Sequence, residues 1–121
     1  MKFCWTTLTV ADMERSLAFY RDTLGLPLDR RYTAGPGIEI AFLGEGETKL
    51  ELICNQNIRD IRIGEHISVG FGVESADEAM EQLAAKGVAL HSGPFQPNPH
   101  IRFFFVLDPD GLKVQLVENI A

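Results

Sequence analysis

Glu51 is an acidic residue that could carry chemistry. It lies in Lys49-Leu50-Glu51-Leu52-Ile53-Cys54, where Leu50, Leu52 and Cys54 point one way along an extended chain and Glu51 points the other. By pattern alone it is the wet side of a half-buried strand, whereas in a partly apolar cleft it would be suited to act as a general base or as a hydrogen-bond anchor for a ligand. Gln115, in the similar run Lys113-Val114-Gln115-Leu116-Val117, offers one amide donor and one acceptor group. His66 and His100 carry imidazoles that exchange protons near neutrality, whereas His91 sits in a separate strand-like run. Arg102 alternates with His100 and would receive an anionic ligand. Trp5 alternates with Thr7 and Thr9, and as the sole tryptophan it would be a stacking platform for a flat or cationic ligand.

Other residue types fall short of a site. No nucleophile–base pattern, glycine-rich phosphate loop or redox cysteine pair occurs. Asp108-Pro109-Asp110-Gly111 is turn chemistry rather than a catalytic carboxylate pair. Cys4 and Cys54 make no disulfide framework or zinc pattern, and their apolar surroundings predict buried free thiols.

The elements that must position these side chains follow from pattern. Phe3 to Val10 predicts a strand, and Asp12 caps a helix whose Met13, Leu17, Tyr20 and Leu24 share one face until Gly25 stops it. Strands are expected over 26–32, 37–43 and 48–54, with turns at Thr33-Ala34-Gly35-Pro36 and Gly44-Glu45-Gly46-Glu47. A polar connector spans about 56–64. The second half starts with a strand over 65–73, and Ser75 to Glu78 form a capping box opening a helix that closes at Lys86-Gly87. Strands are expected over 88–92, 101–107 and 112–118. Three prolines among Gly93 to Pro99 predict a loop there.

Both halves therefore read strand, helix, three strands. Leu24-Gly25-Leu26-Pro27-Leu28 is matched 62 residues later by Lys86-Gly87-Val88-Ala89-Leu90, and Lys49 to Ile53 is matched 64 residues later by Lys113 to Val117. One domain over 1–121 is expected, with module one about 1–55 and module two about 65–119, their curved sheets sharing a ligand cleft. The 121 residues are 45% apolar, enough to exclude a disordered chain, and no run of eighteen apolar residues predicts a membrane span. The N-terminal stretch lacks the apolar region of a secretion signal, so a cytoplasmic location is expected. Eleven basic against seventeen acidic residues, without a basic cluster, give nucleic acid no electrostatic footprint.

The run Val10-Ala11-Asp12-Met13-Glu14-Arg15-Ser16-Leu17-Ala18-Phe19-Tyr20, then Leu24-Gly25, Asp108 to Gly111 and Gln115-Leu116-Val117-Glu118 resemble the vicinal oxygen chelate superfamily. That superfamily includes glyoxalase I, bleomycin-resistance proteins and extradiol dioxygenases. The resemblance spans the whole chain and implies an α+β fold of paired βαβββ modules, commonly a homodimer. It also implies a divalent metal (Zn, Ni or Mn) that polarises paired substrate oxygens, held by residues of the first and last strand of each module. Carried over position by position, the first ligand place is Trp5, the second Glu51 and the last Gln115. The remaining place is Ser68 by counting back from Val73, or His66 if a bulge intervenes. Ser16, Phe19 and Tyr20 belong to the signature as helix packing.

Two readings follow. One is an enzyme similar to lactoylglutathione lyase with a largely altered metal site, using Glu51 and His66 as catalytic groups, with Gln115 and His66 joining Glu51 on any metal. Trp5, Ser68, His100, Arg102 and Gln115 would then contact the ligand. The alternative is a metal-free protein that sequesters a small aromatic or cationic molecule, in the manner of bleomycin-resistance proteins.

Overall fold

The computed structural model describes all 121 residues, which form two compact units, Met1–Arg62 and Ile63–Ala121. The first unit runs β1 (Trp5–Thr9), α1 (Met13–Leu17), β2 (Leu28–Gly35), β3 (Ile38–Leu43) and β4 (Lys49–Asn55). The second runs β5 (Ser68–Gly72), α2 (Ala76–Ala85), β6 (Ser92–Asn98), β7 (Ile101–Leu107) and β8 (Lys113–Asn119). Each is thus a βαβββ module, and the fold is α+β with two open four-stranded mixed sheets, ordered β1-β4-β3-β2 and β5-β8-β7-β6. No helix is long and apolar enough to cross a membrane.

In each unit one sheet face is closed by its helix and the other is left open. Asp12 accepts from the Arg15 backbone N–H to start α1, which widens over Ala18–Thr23 into a π-helical turn where Leu24 N–H reaches the Phe19 carbonyl at 2.9 Å. Leu17 and Tyr20 on this helix are fully buried, as are Ala41, Leu43 and Leu52 on the sheet. Alternation then forces residues at odd positions of β1 and β4 onto the open side. Arg31 clamps the assembly, pairing with Glu14 of α1 and Glu39 of β3. Those two carboxylates, Glu39 foremost, hold its guanidinium above its ordinary pKa. Because the folded value is raised, this contribution is present below the ordinary arginine range and is lost only at extreme alkaline pH.

The second unit repeats the scheme. The Ser75 hydroxyl accepts from Glu78 N–H, and the Glu118 carboxylate accepts from Ala76 N–H, fixing the start of α2 from two sides. Phe104, Val106, Val114 and Leu116 face the helix and are buried. Gly25 and Gly87, at φ of 82° and 83°, end the two helices in equivalent left-handed turns. Asp108 builds the turn before β8 by accepting from the backbone N–H of Asp110 and of Leu112.

Several sequence expectations are corrected. Residues 88–91 form no strand, and the proline-rich stretch expected as a loop is instead β6. It is an edge strand that meets β7 only at Ser92, Phe95 and Asn98, so Pro94 and Pro97, which lack an N–H, occupy unpaired places between those contacts. The strand β2 continues through Thr33 to Gly35, where a turn was expected, because irregular register lets it stay on β3. The strand β5 begins at Ser68 rather than Glu65, which leaves His66 in the preceding turn. Cys4 is exposed and Cys54 half-buried, both as free thiols, because β1 begins only at Trp5 and the residues before it lie outside the core.

Candidate functional site

Strand register sets out the open face of the first sheet in rows. Thr7 lies beside Glu51, Glu51 beside Phe42, and Phe42 beside Arg30, so one row crosses all four strands. A second row holds Thr9, Ile53, Ile40 and Tyr32, and Trp5 lies beside Lys49 on the other side of Glu51. Cross-paired residues share a face, so these side chains project together.

Glu51 is the buried carboxylate of this row, at 8% exposure, while Thr7 and Trp5 beside it are exposed. Its Oε1 accepts a 2.5 Å hydrogen bond from the Thr7 hydroxyl. An ionised carboxylate has about four acceptor positions, so a single donor leaves most of them open on this face to a ligand or to water. Trp5 stands edge-on to Phe42, with ring centroids 5.3 Å apart and planes at 78°. Phe42 itself is buried, covered by the Arg30 guanidinium 4.3 Å above its ring. The face therefore presents an indole surface, a recessed carboxylate and a ring-stacked guanidinium side by side. Lys49 does not neutralise Glu51, because its Nζ donates to the Gly44 carbonyl at 2.7 Å.

The second sheet repeats these positions with different chemistry. Ser68 lies beside Lys113 as Trp5 does beside Lys49, and Gly70 lies beside Gln115 as Thr7 does beside Glu51. Ser68, not His66, is therefore the counterpart of Trp5 in strand register. Gly70 leaves room for the Gln115 side chain, whose Oε1 would lie 3.1 Å from a Cβ at that position. Phe105 stands beside Gln115, and with Phe95 and Phe103 it forms an aromatic cluster at centroid distances of 5.5–6.5 Å.

The remaining candidates from the sequence do not join these rows. His66 is exposed in the turn before β5. His100 lies just before β7, its Nδ1 3.3 Å from the Ile120 carbonyl oxygen, and so does not share a strand face with Arg102. Arg102, expected to receive an anionic ligand, faces α2 instead and donates to Asp77 from Nε and Nη2 at 3.1 and 2.8 Å. The physical reason is alternation: Phe103 and Phe105 share the open face with Gln115, which turns Arg102 to the helix side. Arg30 was missed. Its signal in the sequence was its place in β2, but its row is fixed only by pairing with β3. No three His, Cys, Asp or Glu side chains come together anywhere.

Comparison with known proteins bears on this face. A family model described as the Glyoxalase/Bleomycin resistance protein/Dioxygenase superfamily matches residues 2–116. The lactoylglutathione lyase of Salmonella typhimurium is 34% identical over 127 residues, covering 98% of this chain and 93% of that one. That of Neisseria meningitidis serogroup A is 34% identical over 129 residues, covering 98% and 91%. Among solved structures, the trypanothione-dependent glyoxalase I of Leishmania major superposes with a TM-score of 0.83 at 26% identity, over 98% of this chain and 86% of that one. TnmS3, an antibiotic-binding protein from Streptomyces, superposes with a TM-score of 0.75 at 21% identity, over 98% and 96%, which is a likeness of fold alone.

Proposed function

The chain belongs to the glyoxalase/bleomycin resistance protein/dioxygenase superfamily, and from that premise we propose that it takes a small molecule on the open face of the β1-β4-β3-β2 sheet without a divalent metal. The observation that carries this reading is Glu51: a recessed carboxylate with one hydrogen-bond donor, next to an exposed indole. A ligand with a flat body and a cationic or hydrogen-bond-donating end satisfies both, stacking on Trp5 and donating to Glu51.

The donor set argues against a resident metal. The four places that the family resemblance points to hold an indole, a carboxylate, a hydroxyl and an amide, at Trp5, Glu51, Ser68 and Gln115. Divalent zinc, nickel or manganese is held by several imidazole or anionic ligands, and this set supplies one. The residues present do not fit such an ion, and no chemical step is assigned to it. A second reading, catalysis like that of the lactoylglutathione lyases, is favoured by 34% identity across nearly the whole chain and by the carboxylate retained at Glu51. The resemblance also implies a homodimer, which light scattering of the purified protein checks.

Elemental analysis and metal titration of the wild type and Glu51→Ala separate the two readings. The expected result is no stoichiometric nickel, zinc or manganese, no lactoylglutathione lyase activity after metal addition, and quenching of Trp5 fluorescence by flat amines. Stoichiometric metal that disappears in Glu51→Ala, together with lyase activity, would overturn the metal-free reading.

A further inference from the structure

Four of the arginines are paired with carboxylates of the chain itself: Arg21 with Asp22, Arg31 with Glu14 and Glu39, Arg62 with Asp60, and Arg102 with Asp77. Arg30 is different. Its guanidinium carbon lies over the Phe42 ring, 4.3 Å from the centroid, and 6.0 Å from that of Tyr32. A cation held over a ring keeps its N–H donors available for a ligand while the ring limits where it can move. That is a preorganised fork for a carboxylate, on an exposed residue that no carboxylate of the protein occupies.

The fork also has a fixed place relative to Glu51. Both belong to the row Thr7, Glu51, Phe42, Arg30, two strands apart. Strand spacing puts their backbones about 10 Å apart. Arg30 reaches inward over Phe42, the residue next to Glu51, so the gap between guanidinium and carboxylate is shorter than that span and suits a compact ligand. Trp5, next to Glu51 and edge-on to Phe42, supplies the apolar surface beside that gap.

From this row we infer that the ligand is amphoteric: a compact flat molecule with a cationic or donating group for Glu51 at one end and a carboxylate for Arg30 at the other. Arg30 is then the residue that selects among donors able to reach Glu51, by rewarding those that also carry a carboxylate. The inference rests on the proposed use of this face and adds the second pole to it.

Three probes test it through Trp5 fluorescence: 4-(aminomethyl)benzoate, benzylamine and benzoate. In the wild type the amphoteric probe is expected to bind about tenfold more tightly than benzylamine, the factor a charge-assisted pair supplies. In Arg30→Gln that ratio is expected to fall to near one, and in Glu51→Gln benzylamine affinity is expected to be lost. A purely structural Arg30, shielding Phe42, would leave the ratio intact, because both probes share one ring and one amine. Equal binding of the two probes to the wild type, or a ratio that survives Arg30→Gln, overturns the inference while leaving the Glu51 reading standing. Benzylamine binding that is the same in the wild type and Glu51→Gln overturns that reading, and silence from all three probes overturns both.

Discussion

Glu51 shows at the residue scale how a functional side chain differs from a structural one. Asp108, a structural carboxylate, accepts from two backbone N–H groups in its turn. Glu51 is as buried as Asp108 but accepts only from Thr7. Its charge therefore makes no other contact with the fold, and removing the charge takes nothing else from the scaffold. Glu51→Gln keeps an oxygen for the Thr7 hydroxyl and removes the charge, so the melting temperature is expected to stay level or rise by a few degrees, about 3–5 °C per kcal/mol in a chain of this size. Thermal denaturation followed by circular dichroism checks this, and a marked fall would mean that Glu51 is part of the scaffold. Glu51 was legible from its match to Gln115 in the repeat and from its place in the family resemblance, since by pattern alone it is the wet side of a half-buried strand. The sequence did not make Arg30 legible, because what distinguishes Arg30 is the ring beneath it, and Phe42 is twelve residues away on the next strand.

At the scale of elements, alternation and caps carried most of the information. Asp12 and Ser75 start their helices as their side chains predict, and β7 runs over Ile101–Leu107 as its apolar pattern requires. The misreading at β6 has a definite cause. Proline content argues against a strand that donates on both sides, but β6 is an edge paired only at every third residue, and only the partner β7 reveals which N–H groups are needed. Gly93 shows how closely that edge is fitted. Its φ is 98°, and a Cβ there would lie 3.2 Å from the Phe104 backbone and 3.1 Å from the Phe95 ring. Gly93→Ala is expected to destabilise the protein by about 2–3 kcal/mol through backbone strain and overpacking together. Gly46→Ala, with nothing near the added methyl, is the control for chemical denaturation. Equal stability of the two variants would contradict the fit described for β6.

For the molecule as a whole, net charge bears on ligand choice. A charge of −6 attracts cations from solution, and salt screens that attraction within about 10 Å at 0.1 M. Benzylamine affinity is therefore expected to fall more between low and high salt than that of 4-(aminomethyl)benzoate, which carries no net charge, and titration of Trp5 fluorescence at two ionic strengths reads the difference. Identical salt slopes would show that the two probes are held through the same single contact. The duplicated βαβββ order, the helix caps and the half-apolar strands were written in the sequence, because each depends on residues a few positions apart and on periods of two and 3.6. Which histidine or serine matches Trp5, which face Arg102 takes, and which arginine stands in line with Glu51 were decided only by tertiary structure. Those answers depend on register between strands distant in the chain, and a shift of one residue there sends every side chain to the opposite face.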